Sequence, residues 1–212
     1  MGFRKKRLER VDAFAVSREL SDSLTGARVS NVYQAGGAVF LKLWKPGAGT
    51  RWLALRPSLA VYEARRLPKF PERPTPFAMA LRKALRGSKL SSAGTAGYER
   101  IVVLRFEGRE GRREVYVELL PRGTLAVVSK GVVEYVMHPR EMRDRTLARG
   151  LPYSLPPSSA RDPREVDEGW FAEGARKIPA ARQAVASLLG LGGPYADEVL
   201  LRAGLSAESS GE

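Results

Sequence analysis

The run Thr75-Pro-Phe-Ala-Met-Ala-Leu-Arg-Lys-Ala-Leu-Arg-Gly87 commits part of this chain to an amphipathic helix before any other segment is considered. Pro76 can occupy the first helical turn, where its missing N–H leaves no hydrogen bond unmade. Phe77, Leu81, Ala84 and Leu85 then recur on one apolar face, and Arg82, Lys83 and Arg86 are left facing outward. Directly behind it, Gly94-Thr-Ala-Gly-Tyr-Glu-Arg-Ile-Val-Val-Leu104 becomes a β-branched run that opens on the acid–base pair Glu99 and Arg100. Three basic residues on a helix face are, taken alone, a solvated surface. A basic helix set against such a strand points instead to RNA.

Charge sharpens that expectation. Thirty-six Lys and Arg against 23 Asp and Glu give a formal net charge of +13 and a pI near 10.4. Such a field concentrates polyanions at the surface and makes their binding salt-sensitive. An anionic membrane is the competing polyanion. No segment approaches the roughly 20 consecutive apolar residues of a spanning helix. The basic start Met1-Gly-Phe-Arg-Lys-Lys-Arg7 is followed by Leu8-Glu9-Arg10 rather than by an apolar secretory core. The expectation is a soluble, cytosolic protein with no membrane partner. The absence of cysteine excludes disulfides, thiolate nucleophiles and cysteine-ligated zinc.

With 212 residues, 43% of them hydrophobic, the chain can bury one substantial core and a small appendage. Residues 1–7 read as a basic tail, and Val11 to Thr25 as a helix stopped by Gly26. The runs Arg28–Gln34, Ala38–Trp44, Trp52–Arg56 and Leu59–Tyr62 read as strands of a first sheet. Glu99–Phe106, Arg113–Leu120, Thr124–Ser129 and Val132–Met137 read as a second, with short turns that favour antiparallel pairing. The fold class is therefore α+β: two antiparallel sheets with two packed helices over residues 1–152. A Pro/Ser-rich connection follows at 153–164. Arg164–Ala175, Pro179–Leu189 and Pro194–Ala203 make a small all-α domain at 165–206, and 207–212 a frayed tail. No internal repeat is visible.

These residues carry a resemblance. Phe77, Leu81-Arg82-Lys83, Leu85, Gly87, Gly97 and Glu99-Arg100-Ile101-Val102 resemble the N-terminal domain of the NFACT proteins, in their archaeal form. These are the ribosome-quality-control factors once labelled fibronectin-binding proteins. The likeness continues through Asp12, Glu19-Leu20, Gly26 to Gln34, Glu118-Leu119 with Gly123, and Gly150-Leu-Pro-Tyr-Ser-Leu-Pro-Pro157. The family usually has Asp where Glu99 stands and Asn where Thr124 stands. The resemblance implies a fold similar to the N-terminal domain of formamidopyrimidine-DNA glycosylases. It further implies a protein that binds the stalled large ribosomal subunit with its peptidyl-tRNA and nascent chain, and recruits aminoacyl-tRNA for template-free C-terminal tailing. Peptide-bond formation then belongs to the ribosome, and the chain has no catalytic residues. The alternative is a DNA-repair glycosylase or AP lyase. It is disfavoured because the sequence begins Met1-Gly2-Phe3 instead of Pro-Glu and has no cysteine for a zinc finger.

Candidate tRNA-binding residues are Asp12, Glu99, Arg100, Arg82, Lys83 and Arg86. The first three match the acid, acid and arginine that the resemblance implicates in tRNA handling. Asp12 also suits a helix N-cap. Glu99 and Arg100, as neighbours in a strand, should face opposite sides of the sheet, where they could equally be an edge-strand charge pair. Leu189-Gly-Leu-Gly-Gly-Pro-Tyr-Ala-Asp-Glu-Val-Leu-Leu-Arg202 is similar to a helix–hairpin–helix element. Its Gly190, Gly192 and Gly193 can turn N–H groups toward a phosphate at the start of the following helix, or simply make a tight turn. His138, the sole histidine, falls in a loop before Pro139 with no companion for a metal or a nucleophile. No dinucleotide fingerprint or phosphate-binding lysine loop is present, so no cofactor or metal is expected.

Overall fold

Gly26 and Gly87 each end a helix and start a strand, and the architecture of the larger unit follows from that shared device. The computed structural model describes residues 8–206; the expected tails at 1–7 and 207–212 lie outside the described residues. The first helix, α1, spans Arg10–Leu24, and α2 spans Pro76–Leu85. The glycines take φ of +92° and +81°, the left-handed conformation that only glycine adopts without strain. Strands β1 (Arg28–Ala35), β2 (Ala38–Lys45), β3 (Gly49–Arg56) and β4 (Ala60–Glu63) follow α1 as an antiparallel meander. Strands β5 (Lys89–Thr95), β6 (Ile101–Gly108), β7 (Gly111–Glu118), β8 (Leu125–Ser129) and β9 (Val132–Val136) follow α2 in the same way.

The expected pair of sheets is corrected by the strand order β4-β3-β2-β1-β5-β6-β7-β8-β9, a single nine-stranded sheet. The two meanders join edge to edge at β1 and β5, where Arg28 lies opposite Lys89. Pairing an edge with an edge removes two rows of unsatisfied backbone groups, the hazard that exposed edges carry. A separate pair, β10 (Arg140–Glu141) and β11 (Thr146–Leu147), forms a small hairpin.

The junction reveals an internal repeat. The Gly26 N–H donates to Leu90 O at 2.9 Å and the Gly87 N–H to Val29 O at 2.8 Å. Leu90 N–H donates to Ala27 O and Val29 N–H to Ser88 O, again an equivalent pair. A bulge interrupts β1 between Val29 and Asn31 and interrupts β5 between Leu90 and Ser92. The bulged serines behave alike, Ser30 Oγ donating to Lys42 O at 2.8 Å and Ser91 Oγ to Arg105 O at 3.1 Å. A local two-fold axis between Arg28 and Lys89 therefore relates α1-β1-β2-β3-β4 to α2-β5-β6-β7-β8. The motif that survives in sequence is a Gly, then one residue, a basic residue, an aliphatic and a Ser: Gly26 to Ser30 and Gly87 to Ser91.

Both helices bury their apolar stripes on one face of this sheet. Ala13, Leu20 and Leu24 of α1 and Leu81, Ala84 and Leu85 of α2 share a core with Leu41, Leu43, Leu53, Leu55, Leu104, Phe106 and Val127. Each fully buried leucine contributes about 1.5–3 kcal/mol, so Leu81→Ala alone removes a large part of a domain's margin. The opposite face is covered in patches: Tyr33, Phe40, Trp52 and Phe70 cluster over β1 to β3, and Tyr116 packs with Tyr153 at 4.0 Å between ring centroids.

A second compact unit consists of residues 157–206 with Glu9–Val11. It holds α3 (Glu168–Ala175), α4 (Ala181–Leu188) and α5 (Gly193–Arg202). Asp167 caps α3 by accepting the Trp170 N–H at 2.8 Å. Ala181, Val185, Leu191, Ala196 and Leu200 form its core with Val11 and Phe171.

Candidate nucleic-acid interface

Thr75 caps α2, its hydroxyl accepting the Ala78 N–H at 3.1 Å and also bonding Gln34 Oε1, which fixes the helix start against β1. This anchoring decides where the three basic residues go. Lys83 and Arg86 are exposed, as their spacing indicates. Arg82 is not. Its Nε donates to Val32 O at 2.7 Å and its guanidinium lies 5.2 Å from the Tyr33 ring centroid, so it is a clasp between α2 and β1. The correction has a simple cause: two turns after the cap, Arg82 lies over β1, and its long side chain reaches the carbonyl of Val32 within that strand.

Lys83 and Arg86 open onto a cavity of about 570 Å³ that also receives Arg28, Ser88, Glu107, Arg109 and Arg113. Arg113 is fully engaged: its Nε donates to Glu134 at 2.8 Å, its Nη2 to Glu110 at 2.8 Å and its Nη1 to Ala84 O at 3.3 Å. The hydrogen bond it donates to Glu134 and then the one it donates to Glu110 hold this guanidinium above its usual pKa against the cost of burial. Arg28 Nη1 donates to Gly87 O, at 3.3 Å. Among the described residues Arg28, Lys83, Arg86 and Arg109 have no carboxylate partner. Sequence reading missed Arg28 and Arg109. For Arg109 the local signal was the two-residue turn Arg109-Glu110 between Gly108 and Gly111; Arg28 comes beside Gly87 only through the β1–β5 junction, which the sequence does not display.

Glu99 and Arg100 lie in the bend before β6 rather than in the strand, so strand alternation does not place their side chains. Glu99 is buried, at 7% exposure, and Oε2 accepts the Arg100 N–H at 3.3 Å. The Arg100 side chain is half-buried, and its carbonyl accepts the Leu119 N–H at 2.8 Å. Asp12 stands inside the first turn of α1, not at the cap, and adds a carboxylate near the positive end of the helix.

The hairpin glycines of the C-terminal unit have specific neighbours. A Cβ on Gly192 would collide with the Glu9 carboxylate, one on Gly190 would come 2.5 Å from Arg10 Nη1, and one on Gly193 would come 2.7 Å from Arg182 Nη2. Gly192 caps α5, so an internal carboxylate already stands beside that helix start. Arg182 is itself paired with Asp197 at 2.5 Å. His138 sits in a bend after β9, its N–H donating to Thr124 Oγ1 at 3.1 Å. No group of His, Asp and Glu that could hold a metal occurs among the described residues. Among them no helix is long and apolar enough to cross a membrane.

Glu118, Gly123 and Tyr153 meet in a structural network. Arg145 Nη2 lies 3.0 Å from Glu118 Oε1, which also accepts the Tyr153 hydroxyl at 3.1 Å, while Arg145 Nη1 donates to Ser154 O. Burial, then the Glu118 charge, push the Tyr153 phenol well above its ordinary pKa. Gly123 passes so close to the Glu118 carbonyl that no Cβ fits.

Solved structures share this fold. The N-terminal domain of the fibronectin-binding protein PavA of Streptococcus pneumoniae superposes with a TM-score of 0.79 at 19% identity, over 92% of this chain and 83% of that one. The N-terminal part of the fibronectin/fibrinogen-binding protein of Streptococcus suis gives 0.76 at 20% identity, over 87% of this chain and 75% of that one. In sequence the chain is 25% identical over 216 residues to the archaeal Rqc2 homolog aRqcH of Methanocaldococcus jannaschii, covering 94% of this chain and 31% of the relative. It is 33% identical over 136 residues to the human ribosome quality control complex subunit NEMF, covering 63% of this chain and 12% of the relative. The chain thus spans under a third of the length of these two relatives. Residues 10–212 match the family model described as NFACT N-terminal and middle domains, and the chain belongs to the NFACT family.

Proposed function

We propose that this chain is the RNA-binding part of a cytosolic ribosome-quality-control factor. In this reading it engages a stalled large ribosomal subunit carrying peptidyl-tRNA and its nascent chain. It positions aminoacyl-tRNA for template-free C-terminal extension, and the ribosome forms the peptide bonds. The observation that carries the reading is the family match over residues 10–212 in a chain of net charge +13. Relatives named as ribosome quality control subunits support it. The residues proposed to hold tRNA are Lys83 and Arg86, with Asp12, Glu99 and Arg100 as a second contact. Arg82 positions α2.

The C-terminal unit serves in this reading as a helix–hairpin–helix module, with the Leu189–Pro194 turn as its hairpin. The larger unit is proposed to be akin in fold to the glycosylase N-terminal domain without its chemistry. The sequence has no cysteine for the zinc finger of those enzymes, and we assign the chain no covalent catalysis. Ultraviolet crosslinking in cells followed by sequencing tests the proposal. Reads dominated by tRNA and large-subunit ribosomal RNA are expected; reads dominated by DNA, or none above background, would overturn it.

A further inference from the structure

We propose that the cavity ringed by Arg28, Lys83, Arg86 and Arg109 seats a stretch of RNA sugar–phosphate backbone, an inference that rests on the RNA-binding reading above. The four cations come from three separate segments, the start of β1, the last turn of α2 and the β6–β7 turn, and they converge on one space. Among the described residues none of them is neutralised by a carboxylate. Of the two acids on the wall, Glu110 is occupied with Arg113, which leaves Glu107. Directly beside the cavity Arg28 faces Lys89 across the β1–β5 pairing, a like-charge cross-strand pair that costs stability. An anion bound here offsets that repulsion.

The local two-fold axis shows that this charge is not a by-product of the repeat. In the other half the counterparts of Lys83 and Arg86, counted from the shared glycines, are Asp22 and Thr25. There the carbonyl equivalent to Ala84 O is that of Ser23, which accepts Lys45 Nζ of β2 at 2.6 Å, whereas Ala84 O accepts from Arg113 of β7. Each half holds this helix carbonyl with a cation from a non-equivalent strand, and the further cations Lys83 and Arg86 are built into one half alone.

The lining also limits the ligand. It contains no aromatic side chain on which a base could stack, so the contact is with phosphates and sugars rather than bases. The cations are spread around a mouth of about 570 Å³ instead of closing on a single point, which suits consecutive phosphates better than one free anion.

The test compares three forms of the full chain by fluorescence anisotropy with labelled tRNA across a salt series. They are the unmodified protein, the variant Arg28→Gln/Lys83→Gln/Arg86→Gln/Arg109→Gln, and a charge-matched control, Arg65→Gln/Arg66→Gln/Lys69→Gln/Arg73→Gln, on the exposed segment between β4 and α2. The cavity variant should bind at least about tenfold more weakly. Its slope of log K against log salt should flatten by about 3 to 4, one phosphate per cation, while the control changes by less than 1. Equal losses in the two variants would show a diffuse field and overturn the seat while leaving RNA binding intact. No binding by the unmodified protein overturns the RNA reading and the seat together. Displacement of tRNA by inorganic phosphate beyond its ionic-strength effect would make this a small-anion pocket and also overturn the proposal. If the fourfold variant does not fold, Arg109→Gln alone, in an exposed turn, should lower the slope by about 1.

Discussion

Arg145 and Glu118 form an ion pair at 3.0 Å with each side chain only 3% exposed, and the Tyr153 hydroxyl donates to the same carboxylate oxygen. Nε of Arg145 has no hydrogen-bond partner. A pair this dry repays its desolvation only while both members are present. Removing one strands the other: Arg145→Met or Glu118→Gln should each cost about 3–5 kcal/mol in urea denaturation. The double variant Glu118→Leu/Arg145→Met should recover most of that loss. A double variant as unstable as the sum of the singles would show that packing, not charge, holds this corner.

The same corner makes stability sensitive to alkali. Burial, then the Glu114 hydrogen bond, push the Tyr116 phenol up to about 12, and Tyr153 shifts in the same direction by burial and the Glu118 charge. A raised folded pKa means the neutral phenol is favoured in the native state. Stability is therefore full below the unfolded tyrosine value of about 10 and declines as pH rises beyond it. Denaturation midpoints measured from pH 9 to 11.5 should fall above pH 10, and the fall should be shallower in Tyr153→Phe. A flat profile would place both phenols in contact with solvent.

Gly123 gives a sharper steric test. Its missing side chain lets the turn after β7 close against the Glu118 carbonyl. The cost of Gly123→Ala should fall in or above the range of about 1–3 kcal/mol typical of overpacking, because the obstacle is backbone that cannot rotate away. Thermal melts that match the unmodified protein would contradict the close approach.

These elements differ in how much the sequence announced. Helix α2 was legible because Pro76, the apolar stripe and Gly87 agree with one another at each step. Strand β5 was not, because Lys89–Thr95 is rich in Ser, Gly and Ala and owes its conformation to β1 and β6 on either side, a tertiary override of weak propensity. The single sheet was hidden for the same reason, since the meanders touch through few residues. The repeat left Gly26 and Gly87, Ser30 and Ser91, too little to see without the hydrogen bonds that make them equivalent. For the site, exposure of Lys83 and Arg86 followed from helical spacing, whereas Arg28 and Arg109 reach the cavity only through the topology.

For Glu99 and Arg100 the readings separate on stability against binding. If the Arg100 side chain acts by contacting tRNA, Arg100→Ala should leave the thermal midpoint within a few degrees. The same change should weaken tRNA binding severalfold. Glu99→Asp should preserve binding, since it keeps the charge and shortens the side chain to the residue usual in the family. A collapse of the midpoint in Arg100→Ala with unchanged affinity per folded molecule would assign the pair to structure.

The hairpin of the C-terminal unit makes the last test, because the structure sets an internal acid where an external phosphate was expected. The Glu9 carboxylate lies against Gly192 at the start of α5, the positive end of that helix, which attracts negative charge. One site cannot hold Glu9 and a phosphate at once. If RNA reaches this hairpin it must displace Glu9, and Glu9→Gln should then tighten tRNA binding while costing about 0.3–1 kcal/mol of stability through the lost charge–dipole interaction. If the hairpin is only a turn, Glu9→Gln should cost the same stability and raise affinity only by the small, strongly salt-dependent amount that follows from removing one negative charge. Gly192→Ala drives a methyl into the same carboxylate and should destabilise the unit under either reading, so it serves as the control for local geometry. Anisotropy at low and high salt distinguishes the two: a gain in affinity that persists at high salt marks a vacated phosphate site, and a gain that vanishes with salt leaves Gly190, Gly192 and Gly193 as the hinge of two packed helices.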